Sequence, residues 1–233
     1  MTDDVKAVAK AAEEAARTAG KAIDASSGVG RFLVRVFGPA LEEYGASLHD
    51  WMRTRRAENL LKLEQRYEAL RQKRGAVWKP AELPIKFSAP LLEAASLEDE
   101  PELREMFAAL LVNTTDPNSH IERRRGFITI LQEMTPLDAR VLVALSKAPD
   151  ANQQMYPSKT VYTAKLPDGF LPPDHNAQGG PLILPPRDVA VSLFNLARLG
   201  CVEPAGVWDG AVSIALVTLT DLGSAVLEAC ALD

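Results

Sequence analysis

Residues 90–120 constrain the fold more than any other part of the chain. A short apolar helical run carrying Leu91, Leu92 and Ala95 leads into an acidic turn, and a second run sets Leu103, Met106, Phe107, Leu110 and Leu111 at helical intervals. That spacing lines one face of an α-helix with apolar side chains and calls for a surface to bury them. Pro101 stands in the first turn of the second helix, behind Asp99 and Glu100, where a missing N–H costs nothing and negative charge suits the positive helix end. The polar stretch from Asn113 to Ser119 stops it, and Asp116-Pro117-Asn118-Ser119 reads as a turn.

The rest of the chain points to a mainly helical protein. Residues 3–25 are rich in Ala, Lys and Glu, with Val5, Val8, Ala12, Ala15 and Ala16 at helical spacing. Small side chains give that helix a weak apolar face. Gly28 and Gly30 interrupt it. Residues 29–74 read as a long helical stretch, broken or kinked at Gly38-Pro39. Its apolar stripe includes Phe32, Val36, Phe37, Leu41, Tyr44 and Trp51, and continues through Leu60, Leu61, Leu63, Tyr67 and Leu70 to Gly75. Further on, Phe127, Ile128, Ile130 and Leu131 form another apolar face. Thr135-Pro136-Leu137-Asp138 is a helix start, with Thr135 as N-cap, Pro136 at N1 and Asp138 at N3.

Residues 148–186 hold eight prolines and three glycines. Within them only 155–166 and 182–184 are expected to form strands. An amphipathic helix over 187–199 follows, carrying Val189, Val191, Leu193, Phe194 and Leu196, and Gly200 ends it. A strand begins at Cys201, residues 208–210 make a turn, and 213–219 alternate as a returning strand. Thr220 caps a last helix. With the helix at 136–147 in front, this order resembles a winged-helix core. The domains expected are an Ala-rich N-terminal helix at 1–28, a helical region at 29–134, and a winged-helix-like α+β domain at 135–233 with a Pro-rich insertion at 148–186.

Charge is unevenly spread. The formal net charge is -5, which does not favour nonspecific nucleic-acid binding by the whole chain. Yet residues 51–86 hold ten basic side chains against four glutamates, and residues 93–105 hold six acids against Arg104. These polarised stretches can pair with each other, within a chain or between chains. The basic stretch carries Arg53, Arg55, Arg56 and Arg66 beside Trp51, Tyr67 and Trp78. Basic residues interleaved with aromatics can grip nucleic acid or anionic lipid, but a solvated helix face or subunit contact is the simpler reading. From Thr135 onward six basic residues face ten acids, and the candidate recognition helix offers only Arg187 and Arg198 beside Asp188. Phosphate neutralisation needs more cations than that.

Reactive groups are scattered. His49, His120 and His175 stand apart from one another and from Cys201 and Cys230, without the spacing of a metal site. The two cysteines lack a CxxC arrangement and fit small apolar packing in a reducing compartment. Glu98, Asp99, Glu100 and Glu102 flank a helix N-terminus, where acids are stabilising without any catalytic task. No GxSxG, P-loop or strand-preceded GxGxxG occurs. The N-terminus lacks the apolar core of a signal peptide and no long apolar run suits a membrane span, so a cytoplasmic location is expected.

Several segments together carry a resemblance. Phe37-Gly38-Pro39-Ala40-Leu41-Glu42-Glu43-Tyr44-Gly45, the block from Pro90 to Ser119, the run from Phe127 to Ala139, Leu196-Ala197-Arg198-Leu199-Gly200-Cys201-Val202-Glu203 and Leu219-Thr220-Asp221-Leu222-Gly223 resemble the Abi-alpha family, bacterial proteins linked to abortive phage infection. The resemblance implies a defence setting and brings no catalytic residues with it. The chain is therefore expected to be a non-enzymatic protein without a cofactor, acting through self-assembly or protein partners. Its expected contact surface is Phe32, Val36, Phe37, Leu41, Tyr44, Trp51, Arg53, Arg55, Arg56 and Arg66. A membrane-acting role for 29–51 and nucleic-acid binding by 53–74 are the alternatives. No small-molecule substrate is indicated.

Overall fold

The computed structural model describes residues 54–75, 77–151, 159–172, 182–206 and 212–231. The helix expected at 1–28, the part of the 29–74 helical stretch before residue 54, the start of the strand at 155–166 and the turn at 208–210 lie outside the described residues. Seven helices are described: α1 (Thr54–Lys73), α2 (Ile85–Leu97), α3 (Pro101–Thr115), α4 (Arg125–Glu133), α5 (Pro136–Lys147), α6 (Arg187–Arg198) and α7 (Asp221–Cys230). Three strands, β1 (Thr160–Tyr162), β2 (Val202–Gly206) and β3 (Val212–Leu219), form one small antiparallel sheet in the order β1-β3-β2. The chain divides into two compact units, one ending at Asp99 and resuming over Leu111–Arg125, the other formed by Glu100–Leu110 and Gly126–Asp233.

In the first unit α1 packs on α2. Leu60, Leu63, Tyr67 and Leu70 follow each other at three- and four-residue steps and are all buried, whereas Leu61, expected in the same stripe, falls one position off it and is exposed. The helix stops at Gly75, whose φ of 63° suits a residue without a Cβ. The α2 helix starts earlier than its apolar residues suggest and carries Pro90 inside it. Polar side chains set the register of α1. Asn59 Nδ2 donates to Ser96 O at 3.2 Å and to Asp99 Oδ1 at 3.0 Å. Towards its other end the Tyr67 hydroxyl and Thr115 Oγ1 lie 3.0 Å apart, both buried.

In the second unit α5 packs against α6 and α7, and the sheet lies beside α6. Its core is made of Ile128, Leu131, Val141, Leu142, Leu145, Leu193, Leu196, Val217 and Val226, each at most 1% exposed. Thr160 pairs with Thr218 on one side of β3, and Glu203 with Thr218 on the other. The strand expected at 182–184 does not form: those residues lie outside the sheet, and Ile183 and Leu184 are exposed. Pro185-Pro186, directly after them, supply no N–H for a ladder. Of the strand expected at 155–166, β1 keeps only Thr160–Tyr162, followed by turns over residues 164–168.

Two close approaches lock the end of the chain. The α6 helix finishes in a Schellman arrangement, with Cys201 N donating to Leu196 O, Gly200 N to Ala197 O, and Gly200 at φ 75°. Thr220 caps α7 through Gly223 N and donates from its own hydroxyl to Gly200 O. Gly223 sits so near the Cys201 carbonyl that a Cβ there would overlap it.

Candidate functional site

The outer face of α6 and the groove beside it form the candidate site. Helical geometry divides this helix in two. Val189, Ser192, Leu193 and Leu196 are buried. Val191 and Phe194, read from periodicity as part of one amphipathic set, instead face solvent at 62% and 58% exposure. They stand between Arg187 and Asp188 in the first turn and Arg198 in the last. Acid at the N-terminal end and base at the C-terminal end suit the helix dipole.

A groove of about 890 Å³ runs beside this face. Leu137, Asp138, Arg187, Asp188, Val191 and Asn195 are among the residues lining it. Its floor is a buried carboxylate. Asp138, only 1% exposed, closes the capping box of α5: Thr135 N donates to Oδ2 at 2.7 Å while Asp138 N donates to Thr135 Oγ1 at 3.2 Å. The same carboxylate accepts from Ser192 Oγ at 2.5 Å and from Asn195 Nδ2 at 2.9 Å. A buried carboxyl group needs such donors, and three of them satisfy its oxygens. Asn195 also donates to Glu133 O at 3.0 Å and accepts from Arg198, whose Nη1 pairs with Glu133 Oε2 at 2.6 Å. The face is thus rigidly mounted on α5 and the end of α4. The Thr135–Asp138 cap was legible in the sequence, but its link to α6 was missed. Ser192, a polar residue on the helix side that carries Val189, Leu193 and Leu196, was the available signal.

Most of the expected contact residues are not described. Phe32, Val36, Phe37, Leu41, Tyr44, Trp51 and Arg53 lie outside the described residues, as does the side chain of Arg55. Arg56 is half-buried and Arg66 exposed on α1. At the end of the same helix, two of the cations serve the structure. The Arg71 guanidinium lies 4.8 Å from the Trp78 ring centre and 5.6 Å from that of Tyr67, and donates to Trp78 O at 2.9 Å. Arg74 Nη1 donates to Asn113 Oδ1 at 2.8 Å and lies 3.8 Å from Asp116 Oδ2. The turn after α3 is therefore a junction: Asp116 Oδ1 accepts from Asn118 N at 2.8 Å, while Ala81 N donates to Thr115 O.

The dense cluster from Arg123 to Arg125 is engaged as well. Arg123 Nε donates to Thr114 O at 3.1 Å, and Arg124 pairs with Glu122 at 2.6 Å. Cys201 and Cys230 are free and buried. Burial pushes the Cys201 thiol up to about 11 and the Cys230 thiol further in the same direction, with a smaller push from Cys201. A neutral thiol is a weak nucleophile. Among the described residues no three His, Cys, Asp or Glu side chains are grouped to hold a metal ion, and no helix is long and apolar enough to cross a membrane.

Comparison with known proteins gives one match. The family model described as abortive infection alpha matches residues 55–230, which includes parts of both units and all of α6. No curated protein and no solved structure matches the chain.

Proposed function

The chain belongs to the abortive infection alpha family, and from that premise we propose that it is a non-enzymatic, defence-associated protein that works by assembling with itself or with a protein partner. One observation carries the reading: α6 presents Val191 and Phe194 to solvent on a face held in place by the Asp138 network. Exposed apolar side chains framed by charge are the usual make-up of a protein contact, an apolar centre with a polar rim.

A winged-helix-like reading of the second unit is supported by its order of helix, strand, helix, hairpin and closing helix, and by the sheet order β1-β3-β2. In such a module α6 would take the place of a recognition helix. Its surface argues for protein in place of a nucleic-acid groove. Arg198 is already paired with Glu133, and Asp188 adjoins Arg187, so few positive charges remain to release counterions from phosphate. The commitment of Arg71 and Arg74 to their own unit likewise weakens the basic-helix alternative.

The test is a phage challenge of cells expressing the full chain. Protection is expected from the wild type and its loss from Val191→Asp/Phe194→Asp, with circular dichroism showing the variant folded. Absence of protection by the wild type would remove the defence role. Undiminished protection by the folded variant would remove the interaction face.

A further inference from the structure

We propose that the α6 face is a two-fold contact between copies of this chain, with α6 of one copy packed antiparallel on α6 of the other. The proposal rests on the self-assembly branch of the function proposed above and commits it to one surface.

The face is arranged about a centre near Leu193. Val191 and Phe194 flank that centre, and Asp188 and Arg198 stand to either side of it at nearly equal distances. Glu133, held on Arg198 at 2.6 Å, adds an acid at the C-terminal end to match Arg187 at the N-terminal end. In an isologous contact residue i of one copy meets residue j of the other, and j meets i. Turning one helix end over end about the midpoint between Ser192 and Leu193 therefore sets Val191 of each copy against Phe194 of the other. The same operation brings Arg187 and Asp188 of each copy to Arg198 and Glu133 of the other, two cations against two acids at each end. With a rise of 1.5 Å per residue the charged ends are about 15 Å apart, leaving the middle for apolar contact. A parallel pairing would instead stack Arg187 on Arg187 and Asp188 on Asp188, which like-charge repulsion opposes.

Shape agrees with charge. Phe194 does not line the groove of its own chain. The partner's Val191 and the Leu137 side of that groove offer its ring an apolar seat. A single helix pair falls at the small end of specific interfaces, about 1,200 Å² or less, so a reversible dimer with a dissociation constant of roughly micromolar order is expected.

Sedimentation velocity of the full chain over a concentration series tests this. The wild type is expected to dimerise reversibly. Phe194→Asp should weaken the dimer more than about tenfold, because it removes the central anchor. Asp188→Arg and Arg198→Asp should each weaken it by about three- to tenfold, and together restore it to within about threefold, with a steeper salt dependence. A wild type that stays monomeric overturns the dimer. If it stays monomeric while Val191→Asp/Phe194→Asp abolishes phage protection, the face belongs to a different protein and the function proposed above stands. A dimer indifferent to Phe194→Asp and to both charge reversals overturns this surface and leaves self-assembly intact.

Discussion

Ser192 Oγ donates a 2.5 Å hydrogen bond to Asp138 Oδ1 across the contact between α6 and α5. Asp138 thereby ends the N-terminus of one helix and fixes the position of another, since Asn195 and the backbone of Thr135 share the same carboxylate. Replacing Asp138 by Ala would strand these donors in a buried site. A loss of about 3–4 kcal/mol is expected, against about 1–2 kcal/mol for Ser192→Ala, which removes one donor. Chemical denaturation of both single variants and the double variant measures it. Strictly additive losses would mean the two side chains are not coupled.

Gly223 is required by proximity to the Cys201 carbonyl. The obstacle to a larger side chain is backbone, which cannot swing aside as a flexible side chain can. Gly223→Ala is expected to push α7 away from the β2 end and to cost about 2–3 kcal/mol, in the range of overpacked cores. Thermal unfolding reports the loss, and an unchanged melting temperature would show that the helix can shift freely.

The buried thiols give a pH dependence with a definite sign. Cys201 titrates at about 11 in the fold against an ordinary 9.0, so the unfolded chain loses its proton first as pH rises. The stability this contributes is complete below pH 9 and is lost between 9 and about 11. Cys230 adds to the loss in the same direction. Unfolding free energy should fall over this interval more steeply in the wild type than in Cys201→Ala. Both cysteines should react with a thiol reagent near neutral pH only after denaturation, and rapid labelling of the native protein would contradict their burial.

Much of the local structure was legible in the sequence because it depends on neighbours in the chain. The Thr135 cap, the helix start at Pro101, the Thr220 cap and the stop at Gly200 each follow from side-chain or backbone chemistry within a few residues. The helices through 103–111 and 127–131 follow from apolar spacing. The strand at 182–184 was misread because an apolar run before Pro185-Pro186 suits a strand locally, whereas a strand forms only where another segment comes to pair with it.

The candidate site was less legible for the same physical reason. Periodicity established that α6 is amphipathic and supplied its apolar residues, but it cannot assign each of them to a side, because that depends on which elements come to pack against the helix. Tertiary structure sorted Val189, Leu193 and Leu196 inward and Val191 and Phe194 outward. It also joined Asp138 to Ser192 over a long stretch of chain. By itself the sequence determined family membership, the helical segments and their caps, all written in contiguous residues. Only the folded chain decided which apolar side chains remain for another surface to cover, since burial is a property of what surrounds a residue in space.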